Sequence, residues 1–331
     1  MMTRVLITTV PFGNVDSYPL NLLTENEISY LINPLGKKLT EDELVDLVGD
    51  CEVIVAGTEA ITDKVMAAAK NLRLISRVGI GLDGVDLLAA KKRGIAVSYT
   101  PDAPAPAVVD LTMGLMYTLL RKVHMANIQL HQGQWHRFFG RRLTECSIGV
   151  IGAGRVGSHV INNLKALGCK NIHYYDQKVR LESEDNHQIF FSQKDDIFKK
   201  CDIVSLHIPL DVNTKDMVTL DQIKLMKKDA FLINTARGGI VNEHDLEIAL
   251  RDNIIAGAAI DVFEEEPYSG ALINYDNCIL TSHMGSMSID CRTQMEAEAT
   301  EEAVRFLLTD KQFGGVPEEE YVFRSMVLKN E

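Results

Sequence analysis

The sequence predicts an α/β protein built from two doubly wound parallel-sheet domains, on three observations. Short apolar runs alternate with helical patterns from the first residues onward. This rhythm breaks once, at the proline-rich segment TPDAPAP (100–106), and then begins again. The second series opens with a glycine-rich turn set between an apolar run and a helical pattern. Strands that alternate with helices predict a parallel sheet covered on both faces. At 331 residues the chain also exceeds the roughly 250–300 residues at which one hydrophobic core stops growing, so two cores are expected.

In the first series, RVLITTV (4–10), EVIVAG (52–57), RLISRVG (73–79) and IAVSYT (95–100) read as strands. Helical patterns lie near 41–48 and 63–70 and over VDLLAAKKRG (85–94). Thr40 followed by Glu43 is a capping box, in which each side chain satisfies an orphan amide of the other residue. Gly94 supplies the left-handed residue that closes a helix.

Pro101, Pro104 and Pro106 deny amides to ladder or helix and stiffen the chain, which marks a crossover between domains. One long helix is expected from 107 to about 130, with Met113, Met116 and Met125 as core packing. Six strands follow: SIGVIG (147–152), NIHYYD (171–176), DIVSLH (202–207), AFLINT (230–235), IIAGAAID (254–261) and CILTSH (278–283). A last helix near 288–308 and a tail containing Glu318, Glu319 and Glu320, read as a solvated face, return to the first domain. The expected boundaries are 1–101 with 287–331 for one domain and 102–286 for the other.

The formal net charge of -12 repels phosphate polymers, so neither nucleic acid nor an anionic membrane is expected as a partner. An anionic substrate would then need a local basic site. Cys51, Cys146, Cys169, Cys201, Cys278 and Cys291 lack any metal-ligand spacing, which predicts no metal and reduced thiols in the cytoplasm. The opening MMTRVLITTV reads as a strand and not a signal peptide. No run approaches the ~20 apolar residues of a membrane span.

Gly152-Ala153-Gly154-Arg155-Val156-Gly157 carries the most specific signal. A bare pattern of this kind is equally a glycine-rich turn. Here a strand precedes it, a helix follows, and Asp176 ends the next strand, which together point to a dinucleotide site. The first glycine permits the turn, the second admits the pyrophosphate and the third lets the helix pack closely. Asp176 in that place binds the ribose hydroxyls and repels a 2′-phosphate, favouring NAD over NADP, although Arg180 stands nearby in sequence.

Three further segments sit just past predicted strand ends, where open α/β sheets bind ligands. Arg237 lies in NTARGGIV (234–241), Glu266 in DVFEEEP (261–267) and His283 in TSHMGS (281–286). Taken singly, such an arginine is most simply a surface ion pair, a glutamate triplet a solvated face, and a histidine a satisfied structural group. Taken together on one sheet edge they suit acid/base chemistry on a carbonyl. An arginine can hold a carboxylate through two parallel hydrogen bonds, and a histidine beside a carboxylate can serve as general acid or base.

With these segments in view, the chain resembles the D-isomer-specific 2-hydroxyacid dehydrogenase family, which includes phosphoglycerate, glyoxylate/hydroxypyruvate and D-lactate dehydrogenases. The matching stretches are RVGIGLDGVD (77–86), VIGAGRVG (150–157), SLHIPL (205–210), NTARGGIVNE (234–243), GAAIDVFEEEP (257–267) and SHMGS (282–286). The resemblance implies a Rossmann NAD domain and a flavodoxin-like substrate domain with the active site in the cleft between them. It also implies an NAD-dependent enzyme that interconverts a small 2-keto acid and its D-2-hydroxy acid, and a homodimer formed through the helices after the crossover.

By the same resemblance Arg237 binds and polarises the substrate, His283 is the acid/base, and Glu266 supports the histidine while Glu264 and Glu265 stand aside. Backbone amides of Val78 and Gly79 receive the substrate carboxylate with Arg77 as neighbour. Arg155 and Val156 join the pyrophosphate turn, and His207 and Pro209 wall the adenine. Thr235, Ala236 and Asp261 fall to the nicotinamide side, and Gly285 to the cofactor. The chain departs from the family pattern at Asp110, which stands in a glutamate position, and at Ser282, where a proline is common and its loss leaves the loop less constrained. Arg137, Arg141 and Arg142 either reach a substrate phosphate or coat the linker, and the coat is the favoured reading. Phosphite dehydrogenases share much of this pattern, and the family also contains NAD-sensing corepressors that act by binding partners.

Overall fold

The computed structural model describes residues 4–179, 181, 188–312, 314–318, 320 and 321. The chain divides into two compact units, Met1–Pro104 with Met287–Glu331, and Ala105–Ser286. Both are α/β with one parallel sheet each.

The first unit holds β1 (Val5–Ile7), β2 (Tyr30–Ile32), β3 (Val53–Ala56), β4 (Leu74–Arg77) and β5 (Ala96–Tyr99). Their order is β2-β1-β3-β4-β5, with every pair parallel. This is the flavodoxin-like doubly wound order. β1 and β3 are buried throughout, as strands covered on both faces must be. β2 was not expected from the sequence: it is three residues long, lies on the edge and is only partly covered, so its Tyr30-Leu31-Ile32 run is too short to mark a strand.

Helix Glu41–Val48 starts with the expected capping box, Glu43 N donating to Thr40 Oγ1 at 3.3 Å and Thr40 N to Glu43 Oε2 at 2.9 Å. Gly94, at φ 70°, closes helix Leu87–Arg93. Helix Ile289–Thr309 packs back on β4 with Ser76 Oγ donating to Ala299 O at 2.8 Å. Arg292 and the buried Glu296 on that helix hold the turn after β1. Arg292 donates to Thr9 Oγ1 and Pro11 O, and Glu296 accepts the Gly13 amide. Of the tail, Glu318 pairs with Lys91, whereas Glu319 lies outside the described residues.

The second unit contains β6 (Ser147–Ile151), β7 (Asn171–Tyr175), β8 (Ile189–Phe191), β9 (Ile203–Leu206), β10 (Phe231–Asn234), β11 (Gly257–Ile260) and β12 (Cys278–Leu280). The order β12-β11-β10-β9-β6-β7-β8 is wholly parallel. This is the Rossmann order with one further strand beyond β11. Neighbouring residues along the strands feed opposite cores. Val204, Leu232 and Ala258 pack into one cluster, and Ile203, Ile233 and Ala259 into the other. Each fully buried leucine or isoleucine contributes roughly 1.5–3 kcal/mol, so both helical layers are held firmly to the sheet. The edge strand β8 was missed in the sequence because it is short and partly exposed.

The single helix expected over 107 to about 130 is in fact two, Ala105–Arg121 and Val123–His131. Lys122 between them adopts a left-handed conformation at φ 52°, ψ 37°. Met113 and Met116 are core residues as expected. Met125 is only partly covered, because helix Val123–His131 buries no residue. Among the described residues no helix is long and apolar enough to cross a membrane.

Candidate active site

Parallel strands place all their following loops at one end of the sheet, and in the second unit those loops carry the predicted chemistry. After β6 the chain turns at Gly152, φ +96°, where a Cβ would stand 2.2 Å from His207 O. A Cβ at Gly157 would lie 1.9 Å from Gly152 O. At Gly154, the N-cap of helix Arg155–Ala166, no atom lies within 4 Å of that position and no side chain caps the helix. Two glycines are therefore demanded by contact, and at the middle one uncapped amides border open space, a cradle that fits a pyrophosphate. Arg155 is exposed beside it and Val156 half-buried.

Asp176 follows β7 and accepts three backbone amides: Ala153 at 2.7 Å on Oδ2, and Lys178 and Val179 at 2.8 Å on Oδ1. The acid thus ties its own strand end to the glycine turn. Arg180 lies outside the described residues. His207 also packs on this turn, its amide donating to Ile151 O at 2.7 Å and its Nε2 paired with Ser205 Oγ at 2.8 Å. Burial pushes the His207 imidazole down to about 4, so the ring is neutral near pH 7. Pro209 is exposed, and its carbonyl accepts from Thr214 Oγ1.

The ends of the three neighbouring strands β10, β11 and β12 carry Arg237, Glu266 and His283. His283 Nδ1 lies 3.0 Å from Glu266 Oε1 and 2.9 Å from Oε2. The pair is partly open to solvent, with 39% of the histidine side chain and 29% of the glutamate side chain exposed. Glu266 Oε1 also accepts the Phe263 amide at 3.2 Å, while Glu264 and Glu265 point their exposed surface to solvent. Arg237 is half-buried and donates to Ala236 O at 2.7 Å. Thr235 is buried and shares a 2.8 Å hydrogen bond with Thr112.

Comparison with known proteins bears on this geometry directly. The model of the D-isomer-specific 2-hydroxyacid dehydrogenase NAD-binding domain matches residues 113–285, which span the glycine turn and all three residues of the strand-end group. The chain belongs to the D-isomer-specific 2-hydroxyacid dehydrogenase family. It is 39% identical to a D-3-phosphoglycerate dehydrogenase of Methanocaldococcus jannaschii over 75% of this chain, a stretch that spans 48% of that longer protein. To a hydroxypyruvate reductase of Thermotoga maritima it is 33% identical over 82% of this chain and 90% of that one.

Solved structures agree in fold. A Thermus thermophilus protein superposes with a TM-score of 0.85 at 30% identity, covering 95% of this chain and 100% of that one. A D-lactate dehydrogenase from Aquifex aeolicus, complexed with NAD and lactic acid, gives 0.80 at 26% identity over 93% and 96%. An NADPH-dependent glyoxylate/hydroxypyruvate reductase from Sinorhizobium meliloti, in complex with NADP and malonate, gives 0.79 at 26% over 96% and 98%. Membership of the dehydrogenase family therefore brings a nicotinamide dinucleotide domain, and its members include users of either NAD or NADP.

In the first unit, the family motif after β4 needs a correction. The Val78 amide donates to Ala56 O at 2.9 Å and the Gly79 amide to Thr100 Oγ1 at 2.8 Å, so neither is open to a substrate carboxylate. Arg77 is buried and donates to Val78 O at 2.6 Å. A Cβ on Gly79, φ +134°, would press on its guanidinium at 3.3 Å. Arg77 therefore braces the turn from beneath. Among the described residues, the amides that follow in this turn, Ile80 and Gly81, make no backbone hydrogen bond. The sequence pattern marks the turn but not which amides the ladder consumes.

One further residue at these strand ends escaped the sequence reading. The buried Asn234 accepts the Ala236 amide at 3.0 Å and donates to Arg237 O at 2.8 Å, and so shapes the backbone beneath the arginine. Asp261, read earlier as a cofactor contact, is 1% exposed. Its carboxylate is spent on Thr281 Oγ1 at 2.6 Å and on the amides of Met284 and Gly285 at 2.9 Å. Its carbonyl takes the His283 amide at 2.8 Å. This clamp supplies the constraint that Ser282, in place of proline, does not, and it holds His283 at φ +50°. Of the linker arginines, Arg141 is paired with Asp202 and Asp229 and Arg142 with Glu145. Arg137 and Asp110 are exposed.

Proposed function

We propose that this chain is an NAD-dependent D-2-hydroxyacid dehydrogenase that reduces a small 2-keto acid to its D-2-hydroxy acid and runs the reverse reaction. The observation that carries this reading is the His283–Glu266 hydrogen bond, set at the same end of the sheet as the dinucleotide cradle. A carboxylate can only accept, so the histidine proton in that bond sits on Nδ1. Nε2 is then the atom that gives a proton to the carbonyl oxygen in reduction and takes it back in oxidation. Arg237 polarises the carbonyl and stabilises negative charge as it develops. When bound, the nicotinamide supplies or takes the hydride.

Gly152, Gly154, Arg155, Val156 and Gly157 are assigned to the pyrophosphate, Asp176 to the adenosine ribose, and His207 with Pro209 to the adenine. Thr235, Ala236, Asp261 and Gly285 are assigned to the nicotinamide side, Asp261 through the loop that it holds. In the first unit the substrate carboxylate is assigned to the Ile80 and Gly81 amides, with Arg77, Val78 and Gly79 as the frame of that turn. The negative charge of Asp176 supports NAD over NADP, and the six buried, unpaired thiols support a cytoplasmic setting. A homodimer is supported by Tyr117, Val123, Leu130, Trp135 and Phe139, large apolar side chains exposed within one short stretch.

The test is NADH oxidation with glyoxylate, hydroxypyruvate, pyruvate, a branched 2-keto acid and phosphohydroxypyruvate, alongside NADPH and phosphite as controls. Turnover of at least one keto acid, lost in His283→Ala while NADH binding persists, is the expected result. A chain that binds NADH tightly and turns over none of them is not this enzyme.

A further inference from the structure

Glu243 opens helix Glu243–Arg251, directly after the N-cap Asn242. Its side chain leaves the helix and accepts the Glu264 amide through Oε1 at 2.8 Å. Glu264 belongs to the turn whose last acid is Glu266. That turn is packed from the Arg237 side as well, because a Cβ at Gly238 would sit 1.9 Å from Phe263 O. Burial, aided by repulsion from Glu264, Glu265 and Glu266, pushes the Glu243 carboxyl above its ordinary value against the opposing pull of the Glu264 amide. A group kept where its charge is disfavoured must be compensated by the bond that it makes.

We propose that Glu243 is a positioning residue for Glu266: its hydrogen bond to the Glu264 amide fixes the Phe263–Glu266 turn, and with it the approach of the Glu266 carboxylate to His283 Nδ1. The backbone geometry carries this. Phe263 N and Glu264 N are consecutive amides, one held by Glu266 and the other by Glu243. Removing the second leaves, of these two side-chain bonds, only the one made by the acid whose position the turn should define. Glu243 touches no reacting atom in this scheme and acts through Glu266, so the inference rests on the acid/base reading of His283.

Two substitutions separate reach from charge. Glu243→Asp keeps the charge but withdraws the oxygen by one methylene, whereas Glu243→Gln keeps the acceptor at full reach and loses the charge. In reduction, Glu243→Asp is expected to lower kcat roughly tenfold, the scale on which small misplacements of catalytic groups are felt. KM and NADH affinity should stay within about twofold, and Glu243→Gln should stay near the parent. A second readout needs no turnover: the His283 Nδ1–H proton signal, observed by nuclear magnetic resonance in the NADH complex, should broaden or vanish in Glu243→Asp and persist in Glu243→Gln. Equal behaviour of the two variants, or loss in Gln with retention in Asp, would overturn the proposal. If the parent reduces no keto acid, the proton signal still tests the positioning role separately from the activity.

Discussion

The Asp176 carboxylate already receives three amides, one of them from the glycine turn itself. Its replacement should therefore act twice. Asp176→Ala is expected to weaken NAD binding, because the Ala153 amide loses its acceptor. It should also raise the efficiency ratio of NADP to NAD about tenfold by removing repulsion of a 2′-phosphate, an effect on the order of 1.4 kcal/mol. Steady-state kinetics with both cofactors measure the ratio, and an unchanged ratio would detach Asp176 from cofactor choice. At His283 the decisive property is the tautomer. Glu266→Gln can offer either an oxygen or an NH₂ to Nδ1, so it no longer enforces the Nδ1–H form. Loss of that enforcement is expected to cost about 10²-fold or more in kcat at unchanged NADH affinity. Near-parent turnover in single-turnover reduction would show that Glu266 does not set the histidine.

Elements explain why these side chains meet. β10, β11 and β12 are adjacent and parallel, so residues close behind each strand end fall side by side although Arg237 and His283 are distant in sequence. The glycine turn is an element-level device of the same kind. Helix Arg155–Ala166 approaches β6 so closely that Gly157 has no room for a side chain. Gly157→Ala should displace the helix N-terminus, and calorimetric titration is expected to show NADH affinity reduced at least tenfold with the fold retained, since one displaced contact is a matter of a few kcal/mol. Parent-like NADH binding in that variant would mean that the turn does not hold the dinucleotide as assigned. The break at Lys122 has no such sequence mark. Neither glycine nor proline stands there, and only backbone bonds mark the junction, Lys122 N donating to Leu119 O and Ala126 N to Lys122 O.

For the whole molecule, the half-buried His207 ties stability to pH. Its folded pKa of about 4 lies below the ordinary ~6.5 of an unfolded histidine, so between those values the unfolded chain binds the extra proton. Stability must then fall as pH drops from about 6.5 towards 4, and this contribution levels off below that. The loss is a few kcal/mol at most. Urea unfolding at pH 7 and pH 5 is expected to show a smaller acid loss for His207→Gln than for the parent. Identical pH slopes in the two proteins would place the acid sensitivity elsewhere, in carboxylates such as Asp202 with its Arg141 and Lys227 partners.

The sequence by itself determined the α/β class, the position of the glycine turn and the candidate acids, bases and arginine. Those features rest on local periodicity, on turn chemistry and on which residue types can move protons or hold anions. It left out β2 and β8, whose apolar runs Tyr30-Leu31-Ile32 and Ile189-Phe190-Phe191 are too short and too little buried to mark a strand. Tertiary structure alone decided which groups are spent on the protein itself. Asp261 is consumed by the His283 loop, the Val78 and Gly79 amides by Ala56 and Thr100, and Glu243 by the turn before Glu266. A hydrogen-bonding group has the same identity in the sequence whether its partner is a ligand or its own backbone. Only the approach of segments tens to hundreds of residues apart settles which of the two it meets.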